Sequence, residues 1–245
     1  MNNFLIDYTL HLADNALIIA QRNAEWCGHG PILEQDIAIT NISLDQLGQS
    51  RNFYQYAAAL TGNNATEDSL AYLRTEREFK NCLLVEQPNG DWAQTVLRQF
   101  FFSAYQFLLY EKLQHSGDEQ LAAIAAKALK EVTYHQRWSS EWVIRLGDGT
   151  DESHQRMLNA MDELWRYTGE LFVAADYEAV AGFDIALLKE DWMKKISAVF
   201  EEATLPIPEK TFMQNGGKTG IHTEHLGYIL TELQYLQRTY PNAEW

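Results

Sequence analysis

Residues 36–60, DIAITNISLDQLGQSRNFYQYAAAL, constrain the chain more than any other stretch. They contain no Pro and one interior Gly, Gly48, so they read as one long helix. Ile42, Asp45, Gln46, Gln49, Asn52, Phe53 and Tyr56 recur at helical spacing on one stripe. The stripe is apolar at its ends and polar in its middle. Burying it obliges the polar centre to find partners. Four-helix bundles place metal and cofactor sites at such centres.

Charge and composition narrow the field. With 34 acidic side chains against 19 Lys and Arg, the formal net charge is −15. A phosphate backbone would be repelled, and no basic cluster appears, which excludes nucleic acid as a main partner. An anionic substrate would need positive contacts from elsewhere, such as another subunit. Cys27 and Cys82 form no metal or redox motif, which fits a reducing, cytoplasmic setting. The stretch MNNFLIDYTLHLADNA lacks the basic leader and apolar run of a signal peptide. No apolar run is long enough to span a membrane. The 245 residues, 46% of them hydrophobic, suffice for one large globular domain.

Helices are expected over 4–26, 32–60, 92–114, 119–145, 155–175, 184–202 and 223–239, with a short one over 69–78. Gly28, Gly30 and Pro31 break the first from the second. Asp91 is placed to cap the third, whose FFFSAYQFLLY centre is apolar all round and so buried on several sides. Gly147 is expected to cap the fourth, followed by a loop GDGTDES. Asp7, His11 and Asp14 share one side of the first helix, read as a solvated face. No β alternation appears. The class is all-α: a four-helix core over about 4–146, with additional C-terminal helices over about 151–240 packed on it.

The candidate chemistry lies on the four core helices. A ferritin-like di-iron site takes one carboxylate from each of two helices and Glu-x-x-His from each of the other two. Two ferrous ions in a dry core need about four carboxylates to offset their charge. Where helix two should carry Glu-x-x-His, this chain has Gln46 and Gln49. Where helix four should carry it, Val132 precedes His135. Counting back about thirty residues from each pair reaches Asp14 or Asn15 on helix one and Ser103 on helix three. A neutral amide, a valine and a serine cannot neutralise two ferrous ions. Asp14, Asp45, Glu131 and His135 offer an alternative, one mononuclear site; the plainer alternative is a buried polar network.

EWCGHGPILEQDIAITNISLDQLGQSRNF, LLVEQPNGDWAQTVLRQFF, KEVTYHQRW, LGDGTDES and GGKTGIHTEHLG together resemble the PaaC-type subunit of ring-1,2-phenylacetyl-CoA epoxidases, over essentially the whole chain. The resemblance implies a ferritin-like fold and a place in a bacterial multicomponent oxygenase of phenylacetate breakdown. There the di-iron centre and the thioester substrate belong to a PaaA-type subunit. A PaaB-type small subunit and a reductase with FAD and iron–sulfur centres complete the system. The catalytic partner's Asp-Glu-x-Gly-His is met here by Asp45-Gln46-Leu47-Gly48-Gln49, and its Glu-Glu-x-x-His by Glu131-Val132-Thr133-Tyr134-His135. The surroundings are kept and the ligands are lost, so no catalytic or metal residue carries over and no cofactor is expected in this chain. The loops around Trp26 and His29, and around Lys218, His222 and His225, are candidate partner contacts. Trp92, Trp138, Trp142 and Trp165 read either as core or as interface anchors. A non-catalytic structural subunit is the expected role. The alternatives are an autonomous metal-dependent oxidase or oxygenase using the residual ligands, and a helical regulatory or interaction module. NGGKT resembles the end of a P-loop, but Phe212 stands where the motif's first Gly belongs.

Overall fold

A computed structural model describes residues 2–209, 211–241 and 243. Among them, ten α-helices run in chain order: α1 Asn2–Ala24, α2 Leu33–Thr61, α3 Glu67–Tyr72, α4 Leu83–Glu86, α5 Trp92–Leu113, α6 Glu119–Gly147, α7 Asp151–Leu164, α8 Leu188–Glu202, α9 Glu224–Leu233 and α10 Tyr235–Thr239. No strand occurs among the described residues. α1 lies along α2 and α5 along α6, and the two pairs meet where α2 packs on α6. That is the four-helix core. α7 and α8 cover α5 and α6, while α4 and a 3₁₀ segment, Asp176–Ala181, cover α1.

The long core helices start and stop close to their expected bounds. Asp91 caps α5 by accepting a hydrogen bond from the Gln94 amide at 3.0 Å, and Asp118 caps α6 by accepting from Leu121 at 2.9 Å. Phe100, Phe101, Phe102, Tyr105, Leu108 and Leu109 of α5 are all buried, as a helix covered on every side requires. They join one continuous apolar core running from Tyr8 to Leu230.

The differences lie at ends and turns. Gly147 is the last helical residue of α6, not its cap; the cap is Asp148. A side chain at Gly147 would put a Cβ 2.4 Å from the Ala203 carbonyl oxygen, so the glycine answers a close approach of α8's end. GDGTDES is a helix start, not a loop: Thr150 and Ser153 form a capping box that opens α7. The helix expected over 155–175 ends at Leu164 and gives way to 3₁₀ turns at Trp165–Tyr167 and Gly169–Phe172. The Thr168 hydroxyl there bonds back to the Trp165 carbonyl at 2.8 Å, competing with the helical pattern. The helix expected over 69–78 is α3 followed by a 3₁₀ turn, Glu76–Glu78. Arg74 between them is drawn inward to Asp14. The final helix breaks at Gln234, whose side chain is spent on the Ala71 and Arg74 carbonyls.

Candidate functional site

The polar centre of α2 meets α5 and α6. Gln46 Nε2 donates to Gln106 Oε1 at 2.7 Å, and Gln106 Nε2 returns a bond to Gln46 Oε1 at 3.2 Å. Gln46 Nε2 also lies 3.4 Å from His135 Nδ1. An amide nitrogen can only donate, so Nδ1 is the accepting nitrogen. His135 Nε2–H then donates to Asp45 Oδ2 at 2.9 Å. Beside this, Gln49 Nε2 donates to Glu131 Oε2 at 2.9 Å. Gln46, Gln49, Gln106 and His135 are buried. Val132 is buried among apolar side chains. Ser103 accepts from Gln99 Nε2 at 2.7 Å, and Gln99 accepts in turn from Asn23 at 2.7 Å. Gln46, Gln49, His135, Val132 and Ser103 are all buried on the core faces of α2, α6 and α5. Sequence reasoning missed Gln106. Its spacing of three from Ser103 and four from Tyr110 on α5 is the signal that could have found it.

Asp14 is not part of this centre. It accepts from the Tyr54 hydroxyl at 2.5 Å, from both terminal nitrogens of Arg74 and from the Lys80 amide at 2.8 Å. The mononuclear set Asp14, Asp45, Glu131 and His135 is accordingly not assembled, because Asp14 is spent on Arg74. Among the described residues, no three His, Cys, Asp or Glu side chains gather where they could hold a metal. The residues at the di-iron register do not fit two iron ions. Gln46 and Gln49 are neutral amides, Val132 is apolar and Ser103 is a hydroxyl. The two carboxylates, Asp45 and Glu131, are directed at His135 and Gln49.

A second polar region fastens the C-terminal half to the bundle. Glu86, fully buried at the end of α4, accepts from Asn81 at 2.8 Å, His222 Nδ1 at 2.8 Å, the Thr223 amide at 2.7 Å and the Thr223 hydroxyl at 2.8 Å. Thr223 stands at the N-terminal cap position of α9 but spends its hydroxyl on Glu86 and makes no side-chain capping bond. Glu170 accepts from the Leu83 and Gly216 amides at 2.7 and 2.8 Å. Burial raises its carboxyl above the ordinary range, and those amides hold it back. Lys218 Nζ reaches Glu178 at 2.9 Å and the Val173 carbonyl at 3.0 Å. Tyr177 donates to the Lys218 carbonyl at 2.9 Å.

The two histidines of this region titrate in opposite senses. Burial pushes His222 down, but the hydrogen bond and charge of Glu86, with the Phe79 carbonyl, outweigh it and leave the group above its ordinary value. Burial pushes His11 below its ordinary value, and Glu178 only partly offsets this. His11 Nε2 lies 3.6 Å from Glu178; since His11 is neutral at neutral pH, the contact is a polar one and not an ion pair. The Asp7, His11, Asp14 side of α1 is therefore not a solvated face. His11 and Asp14 are buried beneath the 3₁₀ segment and the Arg74 turn.

The candidate partner contacts divide. Lys218 is buried and paired, and the His222 imidazole is buried on Glu86, so both are corrected to internal clasps. His29 is exposed beside Cys27, and His225 is half-buried at the start of α9. Trp26 is half-buried, donating to Thr95 at 2.8 Å and meeting Trp92 edge-on at 5.1 Å. Trp92 also meets Trp138 and Trp142 edge-on, and both of these donate to Gln35 Oε1. Trp138 and Trp165 are buried, while Trp26, Trp92 and Trp142 are half-buried and pack against the core.

Comparison with known proteins agrees with the architecture. The family described as "Phenylacetic acid catabolic protein", PaaA_PaaC, matches residues 1–245. The C subunit of the 1,2-phenylacetyl-CoA epoxidase of Escherichia coli (strain K12) is 51% identical over 249 residues, covering 99% of this chain and 100% of that protein. An all-α chain with a ferritin-like core, matched over its whole length, belongs to the PaaA_PaaC family of phenylacetic acid catabolic proteins.

Proposed function

We propose that this chain is a non-catalytic structural subunit of a multicomponent oxygenase that epoxidises the aromatic ring of phenylacetyl-CoA. Its place is beside a PaaA-type di-iron subunit, with a PaaB-type small subunit and a transiently bound reductase, in the cytoplasm. The observation that carries this reading is the reciprocal Gln46–Gln106 pair, with His135 turned to Asp45, at the register where a di-iron centre would stand. A carboxylate removed from a buried site no longer needs a cation, and two amides exchanging hydrogen bonds satisfy the same space without charge. The chain keeps the packing that shapes a subunit and dispenses with the groups that would bind oxygen-activating metal. The 51% identity to a protein named as part of an epoxidase supports the same reading.

The test is reconstitution. The chain alone is expected to convert no phenylacetyl-CoA, and the catalytic subunit with its reductase is expected to gain stability or turnover when the chain is added. His135→Ala should leave turnover of the assembled complex within about twofold, since no catalytic step passes through it. Turnover by the isolated chain, lost in His135→Ala, would establish the autonomous enzyme instead.

A further inference from the structure

The sequence holds two Asn-Gly pairs, Asn89–Gly90 and Asn215–Gly216. Asparagine is least durable in this context, because glycine has no side chain to keep its backbone nitrogen away from the asparagine amide carbon. The reaction between them needs a side chain free to turn, a following N–H free to attack, and water to finish. The fold treats the two pairs differently.

Asn89 is locked by its side chain. Its Nδ2 donates to the Arg22 carbonyl at 2.7 Å and to Glu25 Oε2 at 2.8 Å, and its Oδ1 accepts from Arg98 at 2.6 Å. Its amide carbon cannot turn to the Gly90 nitrogen without breaking these bonds. Asn215 is exposed, and its side chain makes no hydrogen bond among the described residues. Here the attacking group is held instead. The Gly216 N–H donates to Glu170 Oε1 at 2.8 Å, and the Gly216 carbonyl accepts from the Thr219 and Ile221 amides, both at 2.9 Å. Glu170 is itself buried and fixed by the Leu83 amide at 2.7 Å. Swinging the Gly216 nitrogen onto Asn215 first requires its release from Glu170. A recess of about 190 Å³, bordered by Glu170, Asn215 and Gly216, is wide enough to admit water beside the pair.

We propose that Asn215 is a deamidation site whose rate is set by Glu170. The Gly216 nitrogen attacks Cγ of Asn215: the N–Cγ bond forms, the Cγ–Nδ2 bond breaks, and ammonia leaves with the proton of the Gly216 amide. Water then opens the cyclic imide. Opening at Cγ leaves aspartate; opening at the main-chain carbonyl leaves isoaspartate, with the chain routed through Cβ and Cγ. Either product places a new carboxylate at the recess that Glu170 borders, and isoaspartate also lengthens the backbone. The segment has no slack to take this up. A side chain at Gly217 would strike the Asn81 carbonyl, and one at Gly220 the Arg77 carbonyl. The same segment carries Lys218 to Glu178 and His222 to Glu86. Conversion at Asn215 therefore loosens both clasps.

The experiment incubates the purified full chain at mildly alkaline pH and follows it by peptide mapping with mass spectrometry, which reads a gain of about 1 Da per converted asparagine. Enzymatic methylation of isoaspartyl carboxylates counts that product separately. A sample kept unfolded in guanidinium chloride gives the unguarded rate at both pairs. In the folded chain Asn215 is expected to convert at least about tenfold faster than Asn89, whose side chain is bonded on both ends, and at least about tenfold slower than in the unfolded chain. Glu170→Ala should bring the Asn215 rate to within about threefold of the unfolded value and leave Asn89 unchanged. Asn215→Gln should remove the mass gain from its peptide. Should Glu170→Ala fail to fold, the folded-to-unfolded rate ratios of the two pairs decide alone. Asn89 converting first, or Asn215 converting as fast folded as unfolded, would overturn the proposal. So would an unchanged or slower Asn215 rate in folded Glu170→Ala, the slower rate marking Glu170 as a base for the attack and not its restraint. The converted fraction should melt at a lower temperature than the unconverted one; equal melting temperatures would overturn the loosening of the clasps.

Discussion

Two polar regions lie inside this molecule, and they are built from different chemistry. The centre between α2, α5 and α6 is largely neutral: Gln46 and Gln106 exchange hydrogen bonds, Ser103 takes one from Gln99, and Val132 packs in the apolar core. The region that fastens the C-terminal half is charged: Asp14 with Arg74, Glu178 with Lys218, and Glu86 under His222 and Thr223. Buried charge persists where the chain itself supplies a counter-charge or several donors. At the bundle centre, neutral amides pair instead. Arg98 is a buried charge held by hydrogen bonds to carbonyl oxygens and by the charge of Glu25. It is fully buried, bonds to the Gln87 carbonyl and Asn89, and has its pKa pushed down to about 9 by burial and by Arg22, so it stays protonated at neutral pH.

The comparison breaks most visibly if charge is returned to the neutral centre. Gln46→Glu, Gln49→His and Val132→Glu together should yield no epoxidase activity, because Ser103 still leaves a ligand missing. The triple variant should lose on the order of several kcal/mol of stability in urea titrations, since each uncompensated carboxylate costs a few kcal/mol. An unchanged melting temperature without bound metal would contradict this.

The charged region should respond to removal instead of addition. Lys218→Met leaves Glu178 buried beside neutral groups and should cost about 3–5 kcal/mol; Asp14→Ala should cost a similar amount by stranding Arg74. A double change to apolar residues, Lys218→Met with Glu178→Leu, should recover much of the loss. A single loss below about 1 kcal/mol would mean that the clasp carries no stability.

A smaller effect separates neutral pairing from charge. Gln46→Leu alone orphans Gln106 and should cost about 1–3 kcal/mol, whereas Gln46→Leu with Gln106→Leu should be nearly neutral. Equal costs for the single and double variants would show that packing, and not the hydrogen-bond exchange, decides the site.

The sequence made the four core helices legible because their apolar periodicity and their caps, Asp91 for one, are local signals. For the same reason Gln46, Gln49 and His135 lie on the buried faces that their spacing assigns. Long-range partners were not legible. Nothing in the periodicity of α1 says that Asp14 meets Arg74, sixty residues on, or that Glu86 is reached by His222, which turns a candidate contact surface into an internal clasp. Nor does local sequence show that Gly147, marked there as a cap, instead makes room for Ala203 at the end of α8. These features depend on which surfaces the irregular turns between the helices bring together.

The smallest effect is one of pH. His222, raised above its ordinary value of about 6.5, contributes stability that is complete below that value and is lost as pH rises through its folded-state pKa. His11, lowered, works the other way: stability falls as pH drops below about 6.5, because the unfolded chain takes up the proton first. His222→Gln should flatten the decline on the alkaline side and His11→Asn the decline on the acid side, read from urea midpoints between about pH 5 and 9. Identical profiles for the two variants would refute the assignment.

At the bundle centre Gln46 and Gln106 exchange hydrogen bonds, and the proposed structural role requires that this centre bind no metal. The most direct test is the content of iron and other transition metals per chain, by elemental analysis of the protein expressed alone with iron supplied. A value near zero is expected. One or two tightly held metal ions per chain, lost in His135→Ala, would contradict it and make this chain a metalloenzyme in its own right.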